Sequence, residues 1–452
     1  NGGNGTMSIT ETQNALEAGR FVGSAIGRNY PSEILDAAKM CLVDWCGVAL
    51  GARNEEAQVA VRNVAMNWGT KGDAQVLLGG KASPAAAAMI NGTMAHCLDY
   101  DDTHVGSTTH VSGPTVASAL AVGTHLGASE SDILSAIITG FEVAARLGNG
   151  AGQPANLRGF HATGIFGAFG ATAAASVLYK LDEARARNAF GAVATQTGGL
   201  SASFGTMSKP FHAGKAALNG VLSAELAGEG FIAKQDLMEV DGGLSEAIFQ
   251  DGGAALAALD FNDEWEITRN TFKPYAACLL THALIDAARS LSDQVKGKAI
   301  TKVEAVVSEP AVKLAGKPNP QTPLEGKFSL AYCAALGLCG YEATEEDFCD
   351  ERIADPHLRD VLLKVEPKPT ADMAQTAARI VVELGDGSRI DADIPLALGN
   401  PKNPMSWDDM WRKFEPLVEP TLGKQTRELY DLLRNFQEPG SLEKFVSMVA
   451  AS

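Results

Sequence analysis

Residues Ala162–Tyr179 read ATGIFGAFGATAAASVLY, 18 consecutive positions without a formal charge. A run of that length raises the question of a membrane span, which needs about 20 predominantly apolar residues. Its composition answers against one, because it is made of Gly and Ala rather than Leu and Ile. Small residues on a helix let neighbouring backbones close in, so this stretch is expected at the centre of a helical bundle.

The sequence on either side agrees. From about Glu11 to Glu229 apolar residues recur at three- and four-residue spacing, with turn signals between the segments. Ser32–Leu50 (SEILDAAKMCLVDWCGVAL) and Ser129–Leu147 (SESDILSAIITGFEVAARL) each open on Ser with acidic residues close behind, the usual start of a helix. Leu181–Gly199 continues the series. After about Thr268 the texture changes. Ala299–Val307 (AITKVEAVV) and Ala378–Leu384 (ARIVVEL) alternate apolar and polar residues, and the second runs through Gly385-Asp386-Gly387 into Ser388–Ile394, the pattern of a β-hairpin. Helical patterns cover Leu279–Ser292 and Gly326–Gly337, and Trp407–Ala450 returns to helix. The expected fold is therefore mainly α: a large, discontinuous all-helical domain of residues 7–268 and 403–452, and a smaller α+β domain of residues 269–402. The opening Asn1–Thr6 (NGGNGT) reads as a flexible tail.

With 452 residues, 46% of them hydrophobic and 20% charged, the chain is long enough for two or three domains and a large core. A net charge of −17 argues against nucleic acid as a partner, since that affinity comes from clustered Lys and Arg. An anionic substrate would need a few cations focused in one cleft. The seven cysteines are scattered and never spaced C-x-x-C, which suggests neither a disulfide framework nor a zinc or iron–sulfur site. A reducing compartment follows, and without a leader pattern the expected location is the cytoplasm, with no membrane partner.

Four clusters could carry chemistry. In Asn91–Gly113 (NGTMAHCLDYDDTHVGSTTHVSG) three carboxylates, His96, His104, His110 and several hydroxyls crowd into otherwise small residues. Were the helix to run through Asp102, Asp99 and Thr103 would share one face with His96 a turn earlier; the alternative is a helix end with Asp and Thr as caps. No H-E-x-x-H or facial carboxylate spacing accompanies the histidines, so no metal is expected. Arg158-Gly159-Phe160-His161-Ala162-Thr163-Gly164 opens the uncharged helix. A helix N-terminus binds carboxylates and depresses a histidine pKa, so His161 is either a neutral donor or base, or a cap beside a surface Arg158. Lys209-Pro210-Phe211-His212-Ala213-Gly214-Lys215 leads into another small-residue helix and lacks the glycine that a P-loop needs. Its lysine is either a base or anion clamp, or a solvated surface group, and the same choice applies to Lys273 in Phe272-Lys273-Pro274-Tyr275.

The strings LDYDDTH with THVSG, GFHATG, SKPFHAGKAA, TFKPYAAC with THALIDAA, and EGKFSLAYC resemble, in order and spacing, the MmgE/PrpD family, which includes methylcitrate dehydratase, cis-aconitate decarboxylase and iminodisuccinate epimerase. The resemblance spans about residues 10 to 445. It implies a helical domain with an α+β lid, a homodimer, and a cofactor-free active site for a small di- or tricarboxylate between the domains. Motif by motif, the family pocket falls on Asp99, Thr103, His110, His161, Lys209, Lys273 and Tyr332. Catalytic roles are thus expected for Lys209, Lys273, His161, His110 and Tyr332, and substrate binding for Asp99, Thr103, Arg158 and His104.

The loop Thr103–His110 departs from the decarboxylase pattern, with an additional residue before its histidine and no Trp after Thr103. The dehydratase pattern Asn-Asp-Thr-Trp is also absent. The first expectation is therefore an epimerase acting on an imino-dicarboxylate, which needs acid/base groups on both faces of one carbon. The second is a lyase that dehydrates or decarboxylates a methylcitrate- or aconitate-like tricarboxylate. A third, of another class, is a carboxylate-binding protein without turnover. Both enzyme chemistries place carbanion character beside a carboxylate, which cationic donors would stabilise.

Overall fold

The uncharged run is a helix, Ala162–Leu178, and all 17 of its residues are buried. The computed structural model describes residues 13–69, 71–250, 259–261 and 264–450. The expected tail Asn1–Thr6 and the start of the helical region at Glu11 lie outside the described residues. The helices packed most extensively on Ala162–Leu178 are Ser112–Leu126, Glu130–Gly148 and Ser208–Gly228. A fourth, Pro84–His96, packs on the first and last of these.

Glycine makes this packing possible. A Cβ on Gly140 would stand 2.6 Å from the Gly170 carbonyl oxygen, and one on Gly170 would stand 2.9 Å from the Gly140 oxygen. The two backbones are in contact there, which a larger side chain on either helix would prevent. This is the close approach that the Gly/Ala composition implied. Among the described residues no helix is long and apolar enough to cross a membrane.

The chain divides into two compact units. The first holds residues up to Cys97, Asp101–Asn270 and residues from Thr421 onward; the second holds Leu98–Tyr100 and Thr271–Pro420. Residues 403–420, expected with the helical domain, group with the second unit. There the Trp407–Leu422 helix places Lys413, whose Nζ donates to the Tyr100 carbonyl at 2.7 Å and lies 4.1 Å from the Tyr100 ring centre.

The sequence signals for helix ends fare unevenly. Ser129 caps Glu130–Gly148 by accepting from the Asp132 amide, whereas Ser32 is itself the first helical residue after Pro31 and its side chain caps nothing. The helix expected to reach Gly199 spans Glu183–Ala194, capped by Asp182, because Gly198 and Gly199 take extended positive-φ conformations of 159° and 131°. Pro84–His96 does not run on through Asp102. Asp99 turns left-handed at φ 51°, so Asp99 and Thr103 share no helix face.

In the first unit a two-residue ladder, β1 (Ala74–Gln75) with β2 (Lys81–Ala82), leads into Pro84–His96. The second unit is built on a four-stranded sheet of β3 (Ile300–Ser308), β4 (Val365–Thr370), β5 (Ala378–Leu384) and β6 (Arg389–Ile394), in the order β4-β3-β5-β6. β4 runs parallel to β3, and the other pairs are antiparallel. The hairpin β5–β6 turns at Gly387 with φ 82°, and alternate β5 residues Ala378, Ile380, Val382 and Leu384 are buried, as the alternation implied. His282–Val295 packs against β5, β6 and the helix Leu330–Leu338. The protein is thus mainly α, with a smaller α+β part.

Candidate active site

In the first unit the chain reverses after His96, and the reversal carries Asp101 back under the His96 ring. His96 Nδ1 lies 3.0 Å from both Asp101 carboxylate oxygens. His110 reaches the same carboxylate from the other side of the loop, its Nδ1 3.3 Å from Asp101 Oδ2 and 3.4 Å from Thr103 Oγ1. The His110 amide donates to Thr163 Oγ1 at 3.1 Å, which ties the loop to the buried helix. Asp101 is 1% exposed. Burial works to raise its pKa, but His110 and His96 outweigh it and hold the carboxyl well below the usual range. Burial lowers the His96 pKa, with Asp101 opposing and His110 and Lys209 adding to the fall.

His161 stands just before the Ala162–Leu178 helix, its amide donating to the Gly199 carbonyl at 2.9 Å. Its imidazole does not cap the helix. Instead Nδ1 faces His212 Nδ1 at 3.0 Å, and the ring stacks at 5.7 Å from the His96 ring. Burial, then His96, Lys209, His110 and His212, push the His161 pKa far down, so this ring is neutral throughout the physiological range. His212 is depressed in the same sense, by burial, His96 and Lys209. Lys209, on the first turn of Ser208–Gly228, sits with its Nζ 5.2 Å from the Phe204 ring centre, and Phe204 packs edge-on against His161.

Behind this cluster Asp102 is fully buried and accepts hydrogen bonds from Ser112 Oγ and Asn270 Nδ2. Burial, then the Asp44 charge, raise its pKa to about 7. His96, Asp101 and His110 are also groups of metal-binding type within reach of one another. In the observed arrangement the His96 and His110 Nδ1 atoms lie 3.0 and 3.3 Å from the Asp101 carboxylate.

The second unit holds another of the expected pairs. Lys273 is buried, and its Nζ donates to the Asp99 carbonyl at 2.7 Å with Asp99 Oδ1 at 3.5 Å. The Phe272 amide bonds the Gly399 carbonyl at 3.1 Å, and Gly399 takes φ 92° where a Cβ would collide with the Phe272 carbonyl.

Of the residues expected to do chemistry, the first unit brings together Thr103, His110, His161 and Lys209, and the second pairs Asp99 with Lys273. Three are placed otherwise. Tyr332 is buried, and its hydroxyl donates to the Asp347 carbonyl at 2.7 Å. His104 is buried between Ser107 and Glu266. Arg158 is exposed and donates from Nε to the Phe249 carbonyl at 2.8 Å. The sequence reading missed Asp101, His96 and His212 as partners of the site; all three lie inside quoted clusters, but the turn at Asp99 that selects Asp101 has no sequence marker.

The MmgE/PrpD N-terminal domain model matches residues 18–257, and the MmgE/PrpD C-terminal domain model matches residues 275–436. The chain belongs to the MmgE/PrpD family. Its similar family members include the cis-aconitate decarboxylase of Aspergillus terreus, 27% identical over 439 residues, covering 89% of this chain and 89% of that protein. The human cis-aconitate decarboxylase is 27% identical over 372 residues, covering 78% and 77%. A cis-aconitate decarboxylase-like protein of Aspergillus oryzae is 25% identical, covering 91% and 92%. These MmgE/PrpD relatives favour the lyase expectation and give no support to the epimerase one. The chain is a MmgE/PrpD enzyme.

Proposed function

We propose that this MmgE/PrpD enzyme is a lyase that removes a carboxyl group from a cis-aconitate-like tricarboxylate. The observation that carries the proposal is the chain of packed rings His110, His96, His161 and His212, with Asp101 against the first two, in a protein whose relatives along most of its length are cis-aconitate decarboxylases. Loss of carbon dioxide leaves the electron pair of the broken C–C bond on carbon next to a remaining carboxylate. That carbanion needs a cation to spread its charge and a proton to end it. Lys209 supplies the charge, and an imidazole of the cluster supplies the proton. Neutral His161, at the N-terminal end of a helix, suits hydrogen bonding to a substrate carboxylate.

A proton NMR assay with di- and tricarboxylates in deuterated buffer tests the proposal. Release of carbon dioxide with one deuterium placed in the product is the expected result. Deuterium washed into an otherwise unchanged dicarboxylate would replace the lyase with an epimerase, and saturable binding without exchange would leave a carboxylate-binding protein.

Two coarser features fit the same reading. All seven cysteines are free thiols, which supports a cytoplasmic setting. A homodimer is proposed through the first unit, where Val64, Trp68 and Met207 are exposed around an apolar groove of about 510 Å³ that a second copy would cover.

A further inference from the structure

We propose that Asp101 is a positioning residue that fixes which ring nitrogen of His110 meets the substrate; this rests on the reading of the imidazole cluster as an acid–base site. An ionised carboxylate only accepts hydrogen bonds. With the Nδ1 atoms of His96 and His110 at 3.0 and 3.3 Å, Asp101 holds a proton on each of them. In its neutral form the His110 ring then has Nε2 as its acceptor nitrogen.

The two histidines are not equivalent. The His96 side chain is 0% exposed, and its Nε2 is buried without a hydrogen-bond partner. It serves to clamp both oxygens of Asp101 from the interior. The His110 side chain is 12% exposed, and its backbone is fastened through Thr163. His110 is the ring that can exchange a proton with something outside the protein interior. When Nε2 takes up a proton, the ring becomes a cation with Asp101 bonded to its Nδ1–H, and the charge is neutralised within the pair. Delivery of the Nε2 proton to a carbanion returns the ring to its neutral Nδ1–H form, and a proton from water restores the starting state. The carboxylate never changes protonation; it sets the tautomer and the ring plane, as the orienting carboxylate of a catalytic triad does.

Replacing Asp101 with Asn tests this, because Asn offers one carbonyl and one amide to two imidazoles that both require an acceptor. In Asp101→Asn, kcat is expected to fall by up to about 10,000-fold, the loss that the wrong tautomer brings when the carboxylate of a catalytic triad is replaced by Asn, with KM little changed. Nitrogen-15 NMR of histidine-labelled protein gives the independent readout, the His110 signals being those lost in His110→Gln. Wild-type protein should show His110 as the Nδ1–H tautomer, and Asp101→Asn should convert it to Nε2–H. Asp101→Glu, which keeps the acceptor, should retain the wild-type tautomer. An Nε2–H tautomer in wild type, or an unchanged tautomer in Asp101→Asn, overturns the proposal. A switched tautomer with unchanged turnover leaves Asp101 in its positioning role and overturns instead the assignment of His110 to the chemistry. If Asp101→Asn does not fold, the wild-type tautomer alone decides.

Discussion

His161 and His212 meet nitrogen to nitrogen, Nδ1 to Nδ1 at 3.0 Å. Two imidazole nitrogens at that distance share one proton, so at least one of the rings stays neutral. Burial disfavours the charged form of His161 before any neighbour is counted, and Lys209 and the other rings add to it.

This gives stability a definite pH dependence. In the unfolded chain a histidine protonates near about pH 6.5, while folded His161 does so only far lower. Between those limits the unfolded state binds the extra proton, so stability falls as pH drops below about 6.5, by up to about 1.4 kcal/mol per pH unit for one such ring. Thermal melts from about pH 7.5 down to about pH 5 should show a falling Tm in wild type and a shallower fall in His161→Gln. Parallel curves for the two proteins would remove His161 as the cause.

Lys209 offers a cleaner separation of chemistry from folding. Its Nζ lies 5.2 Å from the Phe204 ring centre on the first turn of a helix, and Met keeps the length of the apolar stem while deleting the charge. Lys209→Met should fold with the wild-type circular dichroism spectrum and lose about 100- to 1000-fold in kcat, the cost of one missing oxyanion-type donor. Activity within a factor of a few of wild type would exclude Lys209 from charge stabilisation.

The core prediction concerns backbone contact rather than chemistry. In Gly170→Ala the new methyl would meet Thr115 Oγ1 at 2.7 Å, Ala144 Cβ at 2.9 Å and the Gly140 carbonyl at 2.9 Å. Three helices would have to move apart, and overpacking of this kind costs about 1–3 kcal/mol. Urea denaturation should show a lower midpoint with an unchanged slope. An unchanged midpoint would mean the helices are not in contact at this point.

What could be read from sequence follows from how local the cause is. The Ala162–Leu178 helix and the β5–β6 hairpin were legible because small residues, alternation and Gly387 act within a few positions. β4 (VEPKPT) was not, since Pro367 and Pro369 lack amide donors and read as breaks. It survives as an edge strand, with Pro367 opposite Ala305 and Pro369 opposite Val307 in the parallel register. The four active-site strings announced most of their side chains, because His, Lys and Asp among Gly and Ala stand out. The pairing of Asp101 with two histidines did not, because it depends on the helix stopping at His96 and on a left-handed turn at an aspartate. Tyr332 came only from the family resemblance, and helix packing holds its hydroxyl on a backbone carbonyl.

His104 separates substrate contact from architecture, having been expected to bind substrate. The Ser107 amide donates to His104 Nδ1 at 3.2 Å, so Nδ1 is the acceptor and Nε2 carries the proton toward Glu266 Oε2 at 3.0 Å. Burial works to raise the Glu266 pKa, but hydrogen bonding, that from His104 first, holds it below the usual range. His104→Ala therefore leaves a buried carboxylate short of a donor and frees the 105–107 turn, at a cost of about 1–3 kcal/mol. The turnover of the folded protein should be unchanged, because neither ring nitrogen is left over for a ligand. A raised KM at unchanged Tm would reverse the conclusion, since only a residue that touches substrate and supports nothing else behaves that way.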